Sequence, residues 1–259
     1  MVVAISNDLP DYVEARFRQE PPVGARIVPG SIPVVAFGDM RKARVATLAI
    51  NPSYGEFLKK DCERDGAERR LETLRSLSCK DLTKAPHETI RRAFDSCSSY
   101  FGRKPYTYFA KLETVLKRLK ASFYDGSACH LDLVQWATKP RWIKLEPQER
   151  ENLLQSDVPF LKAQLAHEHL RLIVINGSGV REQFERFFGV RLRDVQFPPH
   201  PSLDVSGGAS IKFFQGRTTC DQHVVGWNIN LQSSFGVSTE NVKAVALHVA
   251  RIVVSPDLR

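Results

Sequence analysis

The residues best placed to do chemistry follow the run Val45-Ala-Thr-Leu-Ala-Ile50, which passes into Asn51-Pro52-Ser53-Tyr54-Gly55-Glu56-Phe57. A short, mostly apolar run of this kind reads as a buried strand of a parallel sheet. Asn-Pro then breaks regular structure and turns the chain. Ligands of open α/β sheets bind at the carboxyl ends of strands. A carboxamide there can hold a water without a charge to desolvate, though the dipeptide serves equally as a plain turn. A second stretch, Asn176-Gly-Ser-Gly179 after the apolar Leu170 to Ile175, has the outline of a nucleophile elbow. That motif needs Gly where this chain has Asn176, so the stretch reads as a tight strand-to-helix turn. A third, Tyr100-Phe-Gly-Arg-Lys-Pro-Tyr-Thr-Tyr-Phe109, interleaves aromatics with cations. Such a segment can stack bases and neutralise phosphates, or pack a helix onto a sheet.

The strand running into Asn51-Pro52-Ser53 resembles the first motif of the uracil-DNA glycosylase superfamily. His200-Pro201-Ser202 resembles its second, and the aromatic-Pro-aromatic segment before Lys111-Leu112-Glu113 is similar to that of members with an Asn-Pro-Ser motif. The resemblance implies a three-layer α/β/α fold with a mainly parallel central sheet. It also implies a monofunctional DNA glycosylase, without cofactor or metal, that hydrolyses the N-glycosidic bond of a flipped-out base and leaves an abasic site. On that resemblance Asn51 positions the hydrolytic water and His200 donates to the base oxygen that gains charge. Ser202 contacts the DNA backbone, and Asp204 to Gly208 belongs to a loop that enters the duplex. The chemistry agrees: an oxocarbenium-like sugar needs water on one side and hydrogen-bond donors at the departing base on the other. Both residues follow strand ends, so one shared mouth is expected. The implied partner is double-stranded DNA, whose base flips at a cost of about a few kcal/mol. Arg91, Arg92, Arg103, Lys104, Lys139 and Arg141 are candidates for its phosphates, and equally for solvated surface.

Two departures from the family pattern bear on the base. Strict uracil enzymes carry a large Tyr after the Asn-Pro or Asp-Pro, which blocks substituents at pyrimidine C5. Here that residue is the small Ser53, as in mispair-directed members. Uracil enzymes also read the base with an Asn at the end of a core strand, where Ala128-Cys-His-Leu-Asp-Leu places Asp132. An ionised carboxylate only accepts, which suits the N4 amino group of cytosine; a protonated one can donate to N3. Asp132 could also cap a helix or pair with an Arg. Ser53 and Asp132 together favour a cytosine substituted at C5, hydroxymethylated or glucosylated, as in phage defence. Uracil or mispair repair is the alternative, and a catalytically inactive DNA-binding member is a third reading. The aromatic that sandwiches the base is open: family members place it where this chain has Arg64, leaving Tyr54 and Phe57 nearest.

The elements that must hold these residues follow from periodicity. Strands are expected at Val45 to Ile50, Ala128 to Trp136, Leu170 to Ile175, Asp194 to Phe197 and His223 to Leu231. Helices are expected at Cys62 to Leu77, His87 to Ser96, Ala110 to Leu119, after Gly179 to Phe188 and over Thr239 to Val254. Another covers Glu146 to Leu165, interrupted near Pro159. Alternating strands and helices predict a mainly parallel sheet covered on both faces. One domain of 259 residues, with residues 1–43 as an arm packed on it, accommodates this. The net charge of +8 points to a polyanionic partner, nucleic acid before membrane. Five scattered cysteines without C-x-x-C point to a reducing compartment and set the chain apart from superfamily members with a four-cysteine cluster. With no basic, apolar leader and no run near the ~20 residues a membrane span needs, a cytoplasmic location is expected. Nothing in the sequence names a protein partner.

Overall fold

The computed structural model describes residues 9–103, 105–167, 169–206, 208–232 and 236–254. Its helices are α1 (Asp11–Phe17), α2 (His87–Ser98), α3 (Phe109–Arg118), α4 (Pro147–His167), α5 (Ser178–Phe188) and α6 (Thr239–Val254). The strands are β1 (Val45–Ala49), β2 (Leu58–Lys59), β3 (Cys62–Glu63), β4 (Ala128–Asp132), β5 (Leu172–Asn176), β6 (Arg193–Val195), β7 (Asp204–Val205), β8 (Ala209–Ser210), β9 (Phe213–Arg217) and β10 (His223–Trp227). The architecture is a mixed, mostly parallel sheet flanked by helices, three layers of α/β/α type. The chain forms two compact units. The first takes residues up to 42, 50–105 and 131–168; the second takes 43–49, 106–130 and 169 onward.

The six-stranded sheet has the order β4-β1-β5-β10-β9-β6, and all of it but the last two residues of β4 belongs to the second unit. Every residue of β1, β5 and β10 is buried, as continuous apolar strands covered on both faces must be. β5 pairs in parallel with β1 (Val45 beside Leu172) and with β10 (Val225 beside Val174). β9 returns antiparallel between β10 and the edge strand β6, so β6 runs in the direction of β10. Gly226 is dictated by close approach, because a Cβ there would meet the Ile175 carbonyl at 2.4 Å. Between β5 and α5, Gly177 adopts φ 111°, conformational space open to glycine, and makes the tight turn expected of that segment. Helix α5 packs on β5, α6 on β10, and α3 on α6. A reciprocal cap opens α6: Asn241 N donates to Ser238 Oγ at 3.1 Å and Ser238 N to Asn241 Oδ1 at 2.8 Å.

The first unit draws much of its core from the segment expected to be an arm. Val13, Phe17, Ile32, Val34 and Met40 are at most 1 % exposed, and Phe94 and Leu161 are buried as well. α1 packs against α4, and Arg16 meets Asp157 at 2.8 Å with both side chains almost wholly buried. α4 runs unbroken through Pro159, against the expected interruption. Its apolar face, with Leu153, Leu154, Val158, Leu161 and Leu165 all buried, offsets the roughly 3 kcal/mol that an interior proline costs. The helix expected over Cys62 to Leu77 does not form. The segment is the short β3, a 3-10 turn at Gly66–Glu68 and further turns. Local side-chain bonds take the place of a helical ladder: Asp65 caps Gly66 N, Thr73 and Ser76 bond reciprocally, and Glu63 accepts from Thr73. None of the five cysteines is joined in a disulfide. Among the described residues no helix is long and apolar enough to cross a membrane.

Candidate active site

In the first unit, Asn51 stands two residues beyond the end of β1, half-buried, with Pro52 buried behind it. Its amide nitrogen donates to the Trp136 carbonyl at 3.2 Å and to the Thr138 hydroxyl at 3.1 Å. Both protons are thereby used, and Oδ1 accepts from no described residue. The carboxamide is pinned with its acceptor outward, the polarity needed to orient a water through that water's own proton. Val134 N, donating to the Ile50 carbonyl at 2.9 Å, ties the backbone of the same two segments.

The next turn is short and anchored from below. Ser53 is exposed and its Oγ caps Gly55 N at 3.1 Å, so the small side chain bends back on its own turn. Tyr54 is half-buried, with the Arg141 guanidinium 5.9 Å from its ring centroid. Phe57 is 1 % exposed, a core side chain that offers no ring face to a ligand in this structure. Arg64 spends its Nε on the Gly55 carbonyl at 2.8 Å, and Arg70 reaches the same oxygen at 3.4 Å. Between them lies Glu56, 2 % exposed, which accepts from the Tyr100 hydroxyl at 2.7 Å and faces Arg70 at 3.6 Å. Burial lifts the Glu56 carboxyl to about 7, against the lowering pull of Tyr100 and Arg70.

Asp132 closes β4 and is 3 % exposed, a buried acid at a strand's carboxyl end. The segment after it is clamped by a polar ring that periodicity could not announce. Gln135 Nε2 donates to the Asp132 carbonyl at 2.9 Å, and Gln135 Oε1 accepts from Arg16 Nε at 3.1 Å. Asp157 accepts from Gln135 N at 2.8 Å while pairing with Arg16. Burial pushes the Asp157 carboxyl up and the Arg16 guanidinium down from their ordinary values, and their mutual attraction opposes both. The ring therefore braces the stretch that carries Asp132 at one end and the two acceptors of Asn51 at the other.

His200 lies in the second unit, exposed, at the start of a 3-10 turn over Pro201–Leu203. Its Nδ1 accepts from Ser202 N at 3.2 Å and faces the Ser202 hydroxyl. The neutral ring consequently carries its proton on Nε2, as a donor directed away from its own turn. Two cavities flank Pro198-Pro199-His200. One of about 270 Å³ is lined by Phe197, Asp204, Lys212 and Phe213, and one of about 550 Å³ by Lys243, Leu247, His248 and Arg251. The turn hangs from Asn241, whose Nδ2 donates to the carbonyls of Ser202 at 2.8 Å and Asp204 at 3.0 Å. The sequence motifs do not mark Asn241 for this role, although Ser238-x-x-Asn241 ahead of an apolar helix is a readable capping signal. Glu56, Gln135 and Thr138 carried no such signal.

The proposed phosphate ligands differ in how free they are. Arg91 is held by Glu88 at 2.8 Å and Asp95 at 3.3 Å along α2. Arg92 reaches the Ser76 carbonyl at 3.3 Å, and Lys139 pairs with Asp61 at 2.8 Å. Arg103 and Arg141 are exposed; Lys104 lies outside the described residues. Among the described residues no three His, Cys, Asp or Glu side chains gather as a metal site would require. No protein-family model matches the chain, and no curated protein is detectably similar to it in sequence.

Proposed function

We propose that the chain is a monofunctional DNA glycosylase on a uracil-DNA-glycosylase-like fold, acting on a flipped-out cytosine that carries a C5 substituent. The observation that carries the reading is Asn51, fixed by Trp136 and Thr138 with its acceptor oxygen outward at the end of an all-buried strand. Oδ1 orients the attacking water toward C1′ of the sugar. His200, with its proton on Nε2, supports the role of donor to the base oxygen that takes up the glycosidic electron pair. Asp132 reads the cytosine edge, accepting from the N4 amino group when ionised. Ser53 leaves room beside C5, where a Tyr would close it. DNA brings phosphates to the basic surface of a chain with net charge +8.

Abasic-site formation on a DNA panel tests this: uracil, a G·T mispair, plain cytosine, 5-hydroxymethylcytosine and its glucosylated form. Release confined to modified cytosine is the expected result. Asn51→Ala should lower it on the order of 100-fold while DNA binding persists. Release of uracil instead would retain the reaction and overturn the base assignment. Binding without release from any member of the panel would leave a DNA-binding protein.

A further inference from the structure

Among the described residues, few large apolar side chains stand in water: Val23, Tyr124, Ile143 and Val254. Ile143 differs from the rest in its surroundings. It is 77 % exposed at the centre of the 3-10 turn Trp142–Lys144, with cations on both sides in Arg141 and Lys144. Neither cation pairs with a described carboxylate; Arg141 lies over the Tyr54 ring. The turn is firmly seated. Lys144 N donates to the Arg141 carbonyl at 2.8 Å, Leu145 N to the Trp142 carbonyl at 3.1 Å, and Leu145 is 3 % exposed. It also continues the segment that holds Asn51, since Trp136 and Thr138 stand only a few residues upstream.

An exposed branched apolar side chain on a rigid turn, bracketed by cations that no described carboxylate neutralises, has the chemistry of a wedge for a stacked polyanion. The cations meet phosphates, and the side chain fills the gap left when a base step is opened. The loop after His200, expected from the family resemblance to enter the duplex, presents nothing comparable. Leu203 and Val205 are buried at 5 % and 6 %, and its exposed described residues are small or polar. We propose that Ile143, carried between Arg141 and Lys144, is the side chain this protein inserts into double-stranded DNA to expel the target base. The proposal rests on the glycosylase reading for the identity of the partner.

The experiment compares Ile143→Ala with wild type in single-turnover base release from three substrates: the target base in a duplex, opposite an abasic site, and in a single strand. A wedge assists only where a stacked pair must open. The variant should therefore lose on the order of tenfold on the duplex and come within about twofold of wild type on the other two. Val23→Ser, which removes an apolar side chain still more exposed than Ile143, should behave as wild type. Equal losses on all three substrates would assign Ile143 a structural role and overturn the proposal. So would undiminished release from the duplex, or the same substrate-dependent loss in Val23→Ser. A fluorescent 2-aminopurine beside the target base provides a readout independent of cleavage. It should brighten on binding wild type and much less on binding Ile143→Ala. If wild type releases no base at all, the glycosylase reading fails, and this fluorescence alone decides insertion: equal brightening by both proteins, or none by either, overturns it.

Discussion

The two polar residues proposed for the chemistry are supported in opposite ways. Asn51 is half-buried, and its two acceptors belong to a segment braced by the Arg16–Asp157–Gln135 ring in the core of the first unit. His200 is exposed on a proline-flanked turn of the second unit, held by its neighbour Ser202 and, through the backbone, by Asn241. A group that orients water gains most from being immobile before substrate arrives, because misplacement by an ångström is costly. A donor to a departing base can tolerate an exposed turn that settles on the bound ligand. The contrast predicts that perturbations behind Asn51 act as large, global losses of stability, and that perturbations behind His200 act as small, local loosening.

The sharpest way to break that contrast is Asp157→Ala. It leaves the Arg16 guanidinium buried without its partner and Gln135 N without its acceptor. Removing one member of a buried pair costs about 3–5 kcal/mol. Urea denaturation should show a loss of that size, and Arg16→Met combined with Asp157→Leu should cost less than Asp157→Ala alone. A loss below about 1 kcal/mol would mean that the ring does not brace the segment.

Glu56 gives the next largest effect and a pH signature. Its folded-state carboxyl sits at about 7, against an ordinary value of 4.5, because burial penalises the charge. Between those values the folded chain binds more protons than the unfolded one, so stability from this group is full below about 4.5 and is lost as pH rises through 7. The loss amounts to roughly 3 kcal/mol from the size of the shift. The Tyr100 bond survives in Glu56→Gln, which cannot ionise. The stability of wild type minus that of Glu56→Gln should therefore fall steadily between pH 4.5 and 8. A flat difference would place Glu56 in a more hydrated setting than the turn beneath Ser53 and Tyr54 provides.

How much of this was legible in sequence depended on which force set each feature. Strands β1, β5 and β10 and helices α2, α3, α5 and α6 followed from apolar periodicity, because burial alone fixes them. β9 escaped, since Phe213-Phe-Gln-Gly-Arg217 alternates too little to announce an antiparallel return. Leu71, Leu74 and Leu77 have helical spacing, yet Ser, Thr and Asp side chains took over the backbone bonds there. The position of Asn51 just past a strand was visible because Asn-Pro punctuates it. Its supports were not: Thr138 and Gln135 are polar residues buried through contacts more than 80 residues away in the chain, such as the 87 separating Asn51 from Thr138. Periodicity reports faces of single elements, and a polar ring assembled from three segments has none.

The smallest effect is expected at Asn241, and it tests the other half of the contrast. Asn241→Ala removes two bonds to the carbonyls of Ser202 and Asp204 and half of the cap on α6. Each neutral bond is worth about 1 kcal/mol and the cap about as much, and water can reach the freed carbonyls of an exposed turn. A global loss of about 1–2 kcal/mol should result. The informative change is local. Amide exchange at Leu203, which donates to the His200 carbonyl at 2.8 Å, and at Ile211, which donates to Leu203 at 2.7 Å, should quicken more than that in β5 or β10. The His200 ring should keep its proton on Nε2, because Ser202 N sits within its own turn, and nitrogen chemical shifts report that directly. If exchange instead quickens equally in the turn and the central strands, the turn is as firmly coupled to the core as Asn51, and the two residues are held alike.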